Sequence, residues 1–169
     1  IMKGHETFLR MPMIDYERLM AGLIGIEIVD VTNSIKSLRM IKSDAEIEKI
    51  AYICDVVSNT FKKANEIFYI GQPLDEAFRA FRIECLSQGA DDIPYLAGSA
   101  GEGGYSNIIS PPSNKNLKIG DILMLDTGAN FDGYFCDFDR NFAIGKADAI
   151  SQEVYEVLWR ATEEGLSHV

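Results

Sequence analysis

Asp126 and Asp137 are eleven positions apart, on either side of Asn130-Phe131-Asp132-Gly133, a string with the composition of a tight hairpin turn. A hairpin folded there brings the two carboxylates within a few ångströms of each other. Two such anions repel, and a shared proton or a cation must compensate them. Bridging carboxylate oxygens suit hard divalent metals about 3.5–4 Å apart, so the chemistry on offer is metal-assisted hydrolysis. Spacing alone also admits two solvated turn aspartates.

The elements that must carry the pair are legible in outline. Leu117-Lys118-Ile119-Gly120-Asp121 reads as a turn feeding a buried strand, Ile122 to Leu125, which delivers Asp126 at its end. After the hairpin turn, Tyr134, Phe135, Phe138, Phe142 and Ile144 continue extended structure to Gly145. Upstream, Ser43 and Glu46 form a capping-box pattern, and Ile47, Ile50, Cys54, Val57, Phe61 and Ala64 give one apolar face until Gly71-Gln72-Pro73. A second helix fits Leu74 to about Gln88, with Ala77, Phe78, Phe81, Cys85 and Leu86 as its stripe and Gly89 as C-cap. Gly98, Gly101, Gly103, Gly104, Pro111 and Pro112 punctuate a loop-rich region in which Tyr105 to Ile109 is a short strand candidate. A further helix begins at Ser151, with Val154, Val157, Leu158 and Ala161 on one face. At the other end of the chain, a short helix over Pro12 to Leu23 precedes a β-branched run, Ile26, Ile28, Val29 and Val31, bounded by Thr32-Asn33-Ser34 and read as a strand.

Composition narrows the function classes. Of 169 residues 47% are hydrophobic and 25% charged, as in a folded globular chain, and no run approaches the roughly 20 apolar residues of a membrane span. The net charge of −10, with no basic cluster, argues against nucleic acid as a partner. Cys54, Cys85 and Cys136 form no CxxC pair and their odd number does not suit a secreted disulfide framework, so a reducing, cytoplasmic setting is expected. Cys136, beside Asp137, reads as buried filler. The glycine-rich Gly98-Ser99-Ala100-Gly101-Glu102-Gly103-Gly104 lacks the Gly-Lys-Ser/Thr of a nucleotide loop.

The string LMLDTGANFDGYFCDFDRNFAIG, Leu123 to Gly145, carries more than spacing. Asp126-Thr127-Gly128, then Gly133-Tyr134, then Asp137-Phe138-Asp139-Arg140 resembles the signature of the pita-bread metallopeptidases, which include Xaa-Pro aminopeptidase, prolidase and creatinase. Ile41-Lys42-Ser43 followed by Glu46-Ile47 is similar to the junction between the amino-terminal and catalytic domains of aminopeptidase P and creatinase relatives. The resemblance implies an α+β fold: residues 1–40 as the end of a smaller α/β domain, and 41–169 as the first half of a pita-bread domain. It implies that Asp126 and Asp137 are metal ligands, and that two divalent ions, manganese foremost and otherwise iron, cobalt or zinc, activate a water against an amide bond. Peptides with proline second are the implied substrate, and a homodimer the implied assembly. Two alternatives stay open: a diverged member acting on a small non-peptide compound, as a creatinase-like amidinohydrolase or lyase, and a catalytically inactive binding module.

Departures from the family pattern carry their own expectations. Relatives complete the metal site with a His and two Glu well beyond the second Asp; here 32 residues follow Asp137 and the one His among them, His168, is not expected to be a ligand. With Ile1 at its start, the chain reads as cut at its N-terminus and truncated beyond Val169, where the remaining ligands and the catalytic base are expected. Ile109 stands where relatives place a substrate-side His; Tyr105, Asn107 and Ser110 are candidate donors in its place. Asp139 replaces the family's Thr, on the same strand face as Asp137, where it tunes the metals or pairs with Arg140.

Overall fold

The computed structural model describes residues 10–107 and 110–169, and the chain divides into two units, residues 1–45 and 46–169. Ile109 and His5 lie outside the described residues, as does the end of the strand expected over Tyr105 to Ile109.

In the first unit, α1 spans Met13–Gly22, close to the helix expected there, and α2 spans Thr32–Met40. The strand expected over Ile26 to Val31 is absent: these residues are irregular, Ile26 and Val29 are exposed, and no strand among the described residues pairs with them. β propensity alone does not make a strand without a ladder to join, and the following residues turn instead into a helix. Asp30 accepts from the backbone N–H and the hydroxyl of Thr32 at 2.9 and 2.6 Å, supporting the start of α2.

The second unit is built on α3 (Asp44–Lys62), α4 (Ala64–Ile67), α5 (Leu74–Gln88), β1 (Asp92–Glu102), β2 (Asp121–Phe131), β3 (Tyr134–Phe135), β4 (Phe138–Ala143) and α6 (Ala149–Leu166). All strand pairings are antiparallel: β2 lies between β1 on one side and β3 and β4 on the other. Helices α3, α4 and α5 and one face of the sheet share a core, in which Ile53, Val57, Ala77, Phe81, Leu123, Leu125 and Ala129 are buried. The α3 stripe runs through Ile53, Val56, Val57, Thr60 and Phe61, displaced from the expected face: Ile47 is 53% exposed. On α5 the expected stripe holds except at Leu86, which is exposed, and Gly89 caps the helix in the left-handed region.

Two strands differ from expectation in the same way, by running on. β2 continues past Leu125 to Phe131, so Asp126 sits mid-strand rather than at its end, because neighbours on both sides satisfy its backbone. β1 runs through the glycine-rich stretch read as loop. A Cβ on Gly98 would lie 2.0 Å from the carbonyl oxygen of Met124 on β2, so glycine here serves close strand approach and not a turn. The turn at Asp132-Gly133 is as expected, with φ of 48° and 80°, and Phe131 pairs with Tyr134 across it. Around it, Lys49 of α3 pairs with Asp132 and Tyr134 donates to Glu46 at 2.8 Å, tying the hairpin to α3.

α6 begins where Asp148 accepts from the Ser151 N–H at 2.6 Å. Its expected apolar face is present in sequence but buried nowhere: Val154, Val157 and Leu158 are all more than half exposed. No helix among the described residues is long and apolar enough to cross a membrane.

Candidate functional site

The period of two along β2 separates core from chemistry. Leu123, Leu125 and Ala129 enter the helical core, while Met124, Asp126 and Gly128 point to the opposite face. Register aligns three rows across that face: Ser99, Met124 and Asn141; Ala97, Asp126 and Asp139; Tyr95 beside Gly128. β3 and β4 pair with β2 in one continuous register, which sets Asp137, between them, opposite Gly128. The three carboxylates of Asp126, Asp137 and Asp139 therefore share one face of the sheet.

Tyr95 completes the third row. A register shift between Asp92 and Tyr95, an interval that includes Pro94 with no N–H to offer the ladder, turns Tyr95 onto this face while Ile93 and Leu96 stay in the core. Its hydroxyl donates to Asp137 Oδ1. The ring reaches that far by lying across Gly128, where a Cβ would come within 2.4 Å of Tyr95 Cε1. Partial burial, then the hydrogen bond and charge of Asp137, hold the phenol above its ordinary pKa. Sequence reasoning missed Tyr95, since neither motif nor periodicity marks it; the only cue was a glycine in the neighbouring strand.

Asp139 carries a carboxyl whose pKa is raised, first by burial and then by the charge of Asp126, with Arg140 opposing. Pairing between Asp139 and Arg140, expected from sequence, is not found among the described residues. Adjacent strand residues point to opposite faces, and the Arg140 guanidinium lies over the rings of Phe138 and Phe61, at 4.9 and 6.0 Å, on the helical side. It donates to the backbone carbonyl of Asp139, not to its carboxylate.

Of the candidate donors near residue 109, Tyr105 reaches the same face: its hydroxyl donates to Asn141 Oδ1 at 2.9 Å, and burial followed by the charge of Asp139 raises its pKa. Asn107 is exposed in the irregular segment that follows. Ser110 meets the sheet through its backbone, its carbonyl accepting from the Gly98 N–H at 3.2 Å. A cleft of about 700 Å³ adjoins this region, lined by Gly104, Tyr105, Asn141 and residues of α6 including Gln152 and Tyr155; none of the aspartates lines it. Cys136 is buried against Ala129, and burial pushes its thiol pKa up, as filler and not as a nucleophile. His168 is exposed, its Nδ1 beside the Glu164 carbonyl.

As donors, Asp126 and Asp137, with Asp139 on the same face, offer the carboxylate oxygens that a hard divalent cation prefers, and they stand outside every ion pair among the described residues. The set is partial. Among the described residues no group of three or more His, Cys, Asp or Glu is disposed to hold a metal by itself.

Known proteins resemble this chain in sequence and in fold. The chain is 31% identical to Xaa-Pro aminopeptidase 3 of Rattus norvegicus over 131 residues, covering 76% of this chain and 26% of that protein. It is 26% identical to the Xaa-Pro dipeptidase of Pyrococcus horikoshii over 167 residues, covering 96% of this chain and 46% of that one. Among solved structures, X-Pro aminopeptidase from Thermotoga maritima superposes with a TM-score of 0.79 at 21% identity, covering 91% of this chain and 43% of that chain. The α+β, half-pita-bread architecture expected from sequence is thereby shown, and the chain spans less than half the length of these relatives. The model of metallopeptidase family M24 matches residues 48–169, and the chain belongs to that family.

Proposed function

We propose that this chain contributes the two-aspartate half of a dinuclear metal site in an Xaa-Pro peptidase, with Asp126 and Asp137 as ligands. The observation that carries the reading is the row geometry: two aspartates on one sheet face, held by continuous register, with no ion-pair partner among the described residues. The names of the relatives support the substrate class, peptides with proline second. Manganese and a homodimer belong to the same proposal and rest on the family resemblance; a cytoplasmic setting rests on the three cysteines.

Divalent cations bound there would supply a more acidic water and a Lewis acid that polarises the scissile carbonyl. The chain's own residues prepare for this. β2, clamped between two neighbours, fixes Asp126 on rigid backbone; the short hairpin fixes Asp137 relative to it. Asp139 adds negative charge that favours a cation over a neutral occupant. Tyr105, tied to Asn141, stands at the boundary between the carboxylates and the adjoining cleft, where it can donate to a polar group of a bound peptide.

The test is Asp137→Asn in the full-length protein. Mn(II) uptake and hydrolysis of an Xaa-Pro dipeptide are expected to be lost together, with the fold intact by circular dichroism. Retention of both would sink the ligand assignment.

A further inference from the structure

Tyr95 reaches the aspartates through an arrangement that three separate features must maintain. The register shift between Asp92 and Tyr95 turns its side chain to the site face, Gly128 leaves the space its ring crosses, and the register sets Asp137 at the far end of that row. Core packing holds Ile93 and Leu96 inside and sets the register, but it does not call for a tyrosine at 95: Tyr95 is 40% exposed, and its hydroxyl, not its ring, makes the defining contact. A phenol O–H has one proton to give, and here it goes to Asp137 Oδ1.

We propose that Tyr95 is a positioning residue for the metal site, its hydroxyl fixing the rotation of the Asp137 carboxylate so that both oxygens are presented for cation binding. This rests on the metal reading above. A carboxylate has two lone pairs on each oxygen, so Asp137 can accept from the phenol at Oδ1 and still offer a lone pair on both oxygens to a cation. The hydrogen bond therefore survives metal binding, and a carboxylate already oriented loses less rotational freedom when the cations arrive. Hydrogen bonds of this kind to ligating carboxylates are worth about 10–100-fold in metal affinity. Gly128 belongs to the same device, since any Cβ there displaces the ring.

Calorimetric titration of the full-length protein with Mn(II) alone tests this, comparing wild type with Tyr95→Phe, which keeps the ring over Gly128 and removes only the donor. Binding by the variant is expected to weaken by about 10–100-fold, with the melting temperature of the metal-free protein little changed. Equal affinity in the two proteins overturns the proposal and leaves the metal reading standing. Tighter binding by the variant also overturns it, because the hydroxyl would then compete with the cation. A lowered metal-free melting temperature with unchanged affinity assigns Tyr95 a packing role only. If wild type takes up no Mn(II), the metal reading itself fails and the positioning role falls with it.

Discussion

Asp126 and Asp139 face each other across the β2–β4 pairing, two carboxylates in direct register on the sheet face turned away from the helices. Like charges directly opposite in a ladder are destabilising, by about 0.2–1 kcal/mol. Asp139→Asn keeps the shape and removes one charge, so the metal-free protein is expected to melt at a higher temperature. Differential scanning calorimetry in the presence of a chelator reads this; an unchanged or lower value would mean the pair is already compensated.

Gly98→Ala is expected to cost more than about 1 kcal/mol, beyond the usual effect of such an exchange, because the added methyl meets the Met124 carbonyl backbone at 2.0 Å. The carbonyl belongs to the central strand and cannot swing aside. Urea unfolding measures the loss, and a neutral result would show that β1 and β2 can separate without penalty.

Phe81, with no exposed surface, packs its ring 4.7 Å from that of Phe61. Phe81→Ala should lower the unfolding free energy by about 3–5 kcal/mol, the usual range for an aromatic removed from a core. A loss below 1 kcal/mol, on the same scale, would indicate that α3 and α5 close over the gap.

Lys63 and Glu84 pair at 2.6 Å, which raises the lysine pKa and lowers that of the glutamate. The glutamate's contribution is present above its ordinary pKa and is lost as pH falls through its lowered folded value. The lysine's contribution is present below its ordinary pKa and is lost as pH rises through its raised one. Lys63→Met should therefore flatten the dependence of melting temperature on pH at both extremes and shift it least in neutral high salt. Parallel wild-type and variant curves would dismiss the pair as thermodynamically silent.

How far the sequence was legible depends on how local each signal is. α5 and its glycine cap, the Asp132-Gly133 turn and the common face of the aspartates follow from short-range chemistry, and they stand as expected. β1 was read as loop because glycine normally signals a turn, whereas Gly98 answers to a carbonyl on another strand more than twenty residues away. Asp126 was placed at a strand end because its apolar run stops there, but ladder partners on both sides carry β2 onward. The run Ile26 to Val31 has strand composition and, among the described residues, no strand to join. Tyr95 was invisible for a similar reason: its role exists only across β2, through a gap that Gly128 leaves open.

The two-residue repeat of β2 has a consequence for how such a chain can diverge. Asp126, on the face turned away from the helices, can be exchanged while Leu123, Leu125 and Ala129 hold the fold unaltered. Inserting or deleting one residue between Leu123 and Asp126 would invert every later side chain, sending the carboxylate into the hydrocarbon interior and the leucine to water. The strand thus tolerates rewriting letter by letter but not a change of reading frame, and new chemistry on this sheet must arise by replacement at constant length.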